Sequence, residues 1–140
     1  MRLVVDTNGI VAGLRSPAGA SAALLRCLEQ GRGTLLLSVP LALEYEAVCQ
    51  LPEHRLASGL SLAAVGVFVN TLIGMAEPVE THFLWKPLLR DPGDEMVLAT
   101  AVNGRAEGLV AFNRRDYGDA PSRFGIEVLL PREALRRLRR

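Results

Sequence analysis

The sequence predicts an α/β protein, a three-layer α/β/α sandwich with a central parallel sheet. Three observations carry that expectation. Short apolar runs alternate with helical patterns along the whole chain. The runs at Arg2–Val5, Thr34–Leu37, 109–112 and 126–129 are continuous rather than alternating, as strands buried on both faces read. The segments between them open on caps and prolines and close on glycines, the punctuation of helices.

Taken in order, Arg2–Val5 is the first strand. Pro17 and Gly19 mark a loop, and Ser21 is placed to cap a helix. Leu24, Cys27 and Leu28 then recur on one helical face until Gly31 stops it. Thr34–Leu37 is the second strand. Pro40 stands where a first helical turn begins, that helix runs to about Gln50, and Pro52 stops it. An uncharged apolar helix follows over about 61–76, then a short strand over 77–80. Asp91-Pro92-Gly93-Asp94 opens the next helix with a cap followed by proline, and Gly104 closes it. Strands at 109–112 and 126–129 remain, and Pro131 opens an arginine-rich C-terminal helix. No repeat or linker interrupts this order, so residues 1–140 are expected to form one domain.

Composition sets the limits. Apolar residues are 49% of the chain, too many for disorder, and a net charge of +1 demands neither nucleic acid nor a membrane surface. Lys86 is the only lysine. The other basic residues are arginines, which suit phosphate forks, although codon usage produces the same bias. Cys27 and Cys49 lie on helical patterns and predict buried thiols in a reducing, cytoplasmic compartment. Charge and a strand begin at once, which predicts no leader peptide. The uncharged stretch 56–76 nears the roughly 20 residues of a membrane span. Ser58, Gly59, Ser61, Gly66, Asn70 and Gly74 interrupt it, so a helix buried in the fold or against a partner subunit is expected, and no membrane.

Ligands of parallel sheets bind beyond the carboxyl ends of the strands. Asp6 follows the first strand directly, Asn113 follows the run 109–112, and Asp116 comes three residues later. Two helices bring further acids toward that edge. Leu41, Tyr45 and Val48 define a core-facing stripe, beside which Glu44 falls half-buried while Glu46 points to solvent. Val97, Leu98, Ala101 and Val102 define the next inward face. Asp94 lies on it and Glu95 at its margin. Each acid also has an ordinary structural reading: Asp6 as a strand-to-helix turn, Asp94 or Glu95 as first-turn acids, Glu44 as a surface glutamate. Several carboxylates sharing one pocket raise one another's pKa unless a cation joins them. With oxygen donors and no His or Cys, the cation is a hard one, Mg²⁺ or Mn²⁺, suited to phosphoryl chemistry.

The runs "VVDTN", "LALEYEAV", "RDPGDEMVLATAV" and "GLVAFNRRDYG", in this order over nearly the whole chain, resemble a PIN domain, and among PIN domains the VapC-type toxin nucleases. The resemblance implies Mg²⁺- or Mn²⁺-dependent hydrolysis of RNA phosphodiesters, leaving a 5′-phosphate and a 3′-hydroxyl. It implies Asp6 as first acid and metal ligand, Thr7 and Asn8 as its orienting neighbours, and Glu44 as second acid. The third acid and metal ligand is Asp94 by its helical face, or Glu95 by its distance from the last strand. Many members carry aspartate where this chain has Asn113. The run Asn113-Arg114-Arg115-Asp116 matches a variant in which a neutral amide makes a second tightly held metal less favoured.

Arg114 and Arg115 stand beside the predicted site, where phosphate contact is expected. Phe83 and Trp85 suit base stacking or a lid over the core. His54 and His82 show no partner pattern. Arg132, Arg136, Arg137, Arg139 and Arg140 read as a solvated helix face, or one for RNA or an acidic partner. The apolar helix over 61–76 exceeds what one face of a small domain buries. A homodimer is therefore expected, and the resemblance adds an antitoxin peptide as partner. Against these stand a PIN-like module that binds RNA or protein without catalysis, and an aspartyl-phosphate phosphatase. The phosphatase would need an acid where Asn8 stands.

Overall fold

Continuous apolar strands pair best when both faces are covered, and four of the five strands among the described residues come from such runs. The computed structural model describes residues 1–82 and 87–140. The readings placed on Phe83, Trp85 and Lys86 fall outside the described residues. Among the described residues, strands β1 (Arg2–Val5), β2 (Thr34–Leu37), β3 (Glu77–Pro78), β4 (Gly108–Val110) and β5 (Glu127–Leu129) form one parallel sheet in the order β3-β2-β1-β4-β5. The helices are α1 (Thr7–Arg15), α2 (Ala20–Glu29), α3 (Val39–Cys49), α4 (Pro52–Ser58), α5 (Leu62–Met75), α6 (Pro92–Asn103) and α7 (Pro131–Leu138), with 3₁₀ turns at Arg114–Asp116 and Pro121–Phe124. The predicted α/β/α sandwich is the architecture observed.

The strand order decides where a site can form. From β1 the chain crosses outward to β2 and β3, and from β4 it crosses the opposite way to β5. Right-handed crossovers in opposite directions put helices on both faces. They also open a crevice where the order reverses, between the carboxyl ends of β1 and β4. Those two strands register Leu3 with Gly108, Val4 with Leu109 and Val5 with Val110. At Gly108 a Cβ would come within 2.8 Å of Leu3, so glycine permits this pairing. The core is aliphatic around Leu3, Val4, Leu36, Leu98 and Leu109, with Tyr45 and Tyr117 as its largest buried side chains.

Several boundaries differ from expectation, each for a local reason. The segment after Asp6 continues as helix α1, because Asp6 caps it and Ile10, Val11 and Leu14 turn inward. Pro52 opens α4 instead of only ending α3, since proline at a first helical position loses no hydrogen bond. Ser21 does not cap α2. Gly19 holds the cap position and Ser21 lies inside the first turn. The expected strand 109–112 is paired only as Gly108–Val110, because the chain leaves the ladder toward the 3₁₀ turn, and Phe112 is 51% exposed. On α3, Cys49 is fully buried and Val48 only partly, so the stripe turns one residue from the expected Leu41-Tyr45-Val48. Cys27 and Cys49 are buried free thiols, as expected. The uncharged stretch 56–76 is broken: α4 and α5 bend by 94° at their junction. Among the described residues no single helix is long and apolar enough to cross a membrane.

Candidate active site

Asp6 enters the site still held by the sheet, its N–H donating to the Val110 carbonyl at 2.8 Å. Its side chain caps α1: Oδ1 accepts from the Asn8 N–H at 3.0 Å, where the helix dipole favours a carboxylate. Oδ2 accepts from the Tyr117 hydroxyl. Asp6 is 9% exposed, a nearly buried acid with both oxygens engaged.

Glu44 reaches the same edge from α3. It is half-buried while Glu46 is exposed, as their helical phases predict. The Thr7 hydroxyl donates to Glu44 Oε2 at 2.5 Å, linking the residue after Asp6 to the second acid. Two buried contacts hold α3 in place. The Tyr45 hydroxyl donates to the Val5 carbonyl, one residue before Asp6. Ser38, the α3 cap, accepts from the Leu41 N–H at 3.4 Å and shares a 2.7 Å hydrogen bond with Thr100 of α6. The helices that carry Glu44 and Asp94 are thus joined by a buried hydroxyl pair. At Gly93 a Cβ would lie 3.2 Å from Glu44 Oε1 and 3.0 Å from Asp91 Oδ1, so a bare backbone there lets the two helices' acids approach.

The α6 N-terminus forms as the sequence predicts. Asp91 caps it, accepting from the Gly93 and Asp94 N–H groups at 2.7 and 3.2 Å, with Pro92 next. Asp94 is half-buried. Its carboxyl is pushed up to about 6, first by burial and then by the charges of Asp6, Asp91 and Asp116; a hydrogen bond from Tyr117 partly offsets this. Burial and the nearby Asp6 push the Tyr117 phenol far above its ordinary range, so it stays protonated and acts as a donor. Burial likewise raises the Tyr45 phenol, with Asp6 and Glu44 adding to it.

The structure separates the two candidates for third acid. Asp94 shares its surroundings with Asp6 and Tyr117. Glu95 turns away, its carboxylate accepting from the Leu88 N–H at 3.1 Å and the Leu89 N–H at 2.9 Å. The adjacent arginines also diverge. Arg114 pairs with Glu133 at the start of α7, while Arg115 lines an open groove of about 430 Å³ with Arg90, Asp94, Asp116, Tyr117 and Arg123. Asn113 and Asp116 are exposed and bonded to each other, Nδ2 to Oδ2, at 2.8 Å. His54 lies against Arg15, and the backbone of His82 bonds Asn103, so neither histidine faces the acids. In the tail, Arg137 pairs with Glu127 at 2.7 Å.

Sequence reasoning gave no role to Tyr117, the residue that donates to Asp6 and lies beside Asp94. A signal was present: a buried phenol needs a hydrogen-bond partner, and this one directly follows an acid-bearing turn. Arg90 and Arg123 were missed too, because only folding brings them to the groove.

The donors suit a hard divalent ion in type, all oxygen and rich in carboxylate. Among the described residues no three His, Cys, Asp or Glu side chains close into a metal cage. An ion such as Mg²⁺, which keeps several waters, needs only one or two carboxylates from the protein. Burial is the larger cause of the raised Asp94 carboxyl; a cation would offset only the smaller part that comes from Asp6, Asp91 and Asp116.

Comparison with curated proteins and with solved structures gives no match. Comparison with known families gives a match to the PIN domain over residues 2–115, which takes in Asp6, Glu44, Asp94 and Asn113 and stops just before Asp116 and Tyr117. PIN domains are generally nucleases and usually use divalent metals. A parallel sheet with its acids at the crevice between β1 and β4, together with a match across most of the chain, makes this protein a member of the PIN-domain family.

Proposed function

We propose that the protein is a Mg²⁺- or Mn²⁺-dependent endoribonuclease that hydrolyses RNA phosphodiester bonds, and that it is the toxin of a toxin–antitoxin pair of VapC type. The observation that carries the nuclease reading is the convergence of Asp6, Glu44 and Asp94 from three distant stretches of chain, through Thr7 and Tyr117. In this reading Asp6 and Asp94 hold the ion. When bound, the ion supplies an activated water and stabilises charge on a phosphate oxygen. Tyr117 fixes the Asp6 carboxylate by donating to its Oδ2 and lies beside Asp94. Asn8 offers its amide to Asp6. Glu44, held by Thr7, orients water at the inner wall. Asn113 and Asp116 form the outer rim, and Arg115, with Arg90 and Arg123, draws the phosphate backbone into the groove. Glu95 shapes the groove by holding the backbone at Leu88 and Leu89.

The test is cleavage of RNA with Mg²⁺ or Mn²⁺ by the parent and by Asp6→Asn. Loss of cleavage in the variant, with products ending in a 5′-phosphate in the parent, supports the reading; equal rates sink it. A second reading, a binding module without catalysis, is favoured by the neutral Asn113 and its bond to Asp116. Calorimetric titration separates the two, because a binding module takes up Mg²⁺ and Mn²⁺ no better than its Asp6→Asn variant.

The partners follow from the surface and from the VapC likeness. Leu56 is 71% exposed and Val67 is 67% exposed, on α4 and α5. A homodimer would cover them, and sedimentation across a broad concentration range tests it. The antitoxin rests on the VapC likeness alone, and a small neighbouring reading frame encoding one would support it. A cytoplasmic setting agrees with two buried free thiols, of which Cys49 is pushed up to about 11 by burial.

A further inference from the structure

A second groove, of about 440 Å³, lies between the N-termini of α2 and α7, lined by Gly19, Ala20, Ser21, Phe112, Pro131 and Arg132, among others. Its position follows from the topology. α7 begins where β5 ends and Phe112 follows β4, so the groove opens at the same carboxyl edge of the sheet as the acids. α2 and α7 pack side by side along their length.

Its chemistry is the reverse of the acidic groove. No Asp or Glu lines it. α2 starts at Gly19 with no side-chain cap and no acid in its first turn. Among the described residues, the N–H groups of Ala20, Ser21 and Ala22 have no acceptor, and the first one used is that of Ala23, to Gly19 O at 3.1 Å. Arg132 enters no ion pair among the described residues. The nearby carboxylate of Glu133 is already engaged by Arg114 and by the Leu130 N–H at 2.8 Å. An independent observation also points to a ligand. Ser21 is only 6% exposed, and its hydroxyl is the one buried side-chain polar atom among the described residues without a hydrogen-bond partner. Buried polar groups are ordinarily paired. Beside these donors Phe112 is 51% exposed.

We propose that this groove is a second RNA subsite that takes one unpaired nucleotide of the strand. The phosphate sits at the α2 N-terminus against Ser21 and Arg132, and the base stacks on Phe112. An acidic peptide would use the donors and leave the aromatic face idle; a nucleotide uses both. Phe112 directly precedes Asn113, so a strand leaving the subsite passes onto the rim of the acidic groove. The inference rests on the RNA reading above, and its test is arranged so that the two can fail separately.

The probe is a fluorescent single-stranded RNA of about eight nucleotides, titrated by anisotropy in EDTA, so that binding is read without cleavage. Cleavage of the same RNA and of a dinucleotide is measured in Mn²⁺. Phe112→Ala is expected to weaken binding about tenfold, and Phe112→Trp to retain it. Arg132→Ala is expected to weaken binding and to reduce the salt slope by about one. Ser21→Ala is expected to weaken binding a few-fold without lowering the thermal midpoint, which excludes a folding defect. Dinucleotide cleavage stays at the parent rate in all of them. Unchanged binding in all three alanine variants overturns the subsite while a cleaving parent keeps the nuclease reading. Binding that depends on Phe112 and Arg132 in a parent that cleaves nothing keeps the subsite and sinks the nuclease reading. Undetectable RNA binding by the parent overturns the subsite. So does displacement of RNA by poly-glutamate that depends on Arg132 and is equally strong with Phe112→Ala.

Discussion

The two grooves at the sheet's carboxyl edge are close in size and opposite in character. One gathers Asp94 and Asp116 beside a buried Asp6, whose carboxylate the Tyr117 hydroxyl holds. The other has open backbone amides, an arginine, an unpaired hydroxyl and a phenyl ring, and no acid. On the proposed reading, crowding of like charge, not concavity, marks where a cation and chemistry belong. A groove that offers donors without acids can hold an anion and do nothing further to it. The acidic groove is also the more heavily braced, by Tyr45 on Val5, Ser38 on Thr100 and Thr7 on Glu44. Bracing of that kind holds reacting groups in register, whereas a stacking platform needs only an exposed ring.

Substitutions can break this contrast, and the largest effect belongs to Asp6. Asp6→Asn is expected to reduce RNA cleavage by more than the roughly 10–100-fold typical of losing an outer-sphere partner, while RNA affinity measured in EDTA is unchanged. Equal losses in both assays would show that Asp6 serves the fold rather than the chemistry. Tyr117→Phe removes the donor to Asp6, beside Asp94, but keeps the ring. Cleavage is expected to fall about 10–100-fold, with a matching fall in Mn²⁺ affinity by calorimetry.

Next come the braces behind the site. Ser38→Ala removes both the α3 cap and the partner of Thr100, and is expected to cost about 1–2 kcal/mol in urea unfolding. Combined with Thr100→Val the loss should be less than the sum, because the two hydroxyls share one bond. Strict additivity would mean that the pair does not couple α3 to α6.

The smallest effect concerns pH. In the folded protein Asp94 titrates near 6, above its ordinary 3.8, so the fold holds this proton where the unfolded chain has released it. Its contribution to stability is therefore complete below about pH 4 and is lost as pH rises through about 6. Metal-free thermal midpoints should show that decline, and Asp94→Asn should flatten it. A decline of equal size in the variant would assign it to other groups.

Much of the fold was legible because it is written locally. Continuous apolar runs marked four strands, the 91–94 cap marked α6, and helical phase alone separated Glu44 from Glu46. Helix α1 was not legible, since Asp-Thr-Asn reads equally as a turn until Ile10 and Leu14 have a core to face. The edge strand β3 spans Glu77–Pro78, shorter than the expected 77–80, with one further bond from the Val79 N–H to the Leu37 carbonyl.

Sequence alone was enough for four strands, for helices α2, α3, α5, α6 and α7 and their order, and for heading Asp6, Glu44, Asp94 and Asn113 toward one sheet edge. Periodicity and caps act over a few residues and need no distant partner. Packing settled which side chains meet there: Asp94 beside Tyr117 while Glu95 turns to Leu88 and Leu89, and Arg115 in the groove while Arg114 pairs with Glu133. Neighbours in sequence part company in space because each charged group settles on the hydrogen bond that compensates its desolvation. Those partners come from distant stretches of chain that only packing brings near.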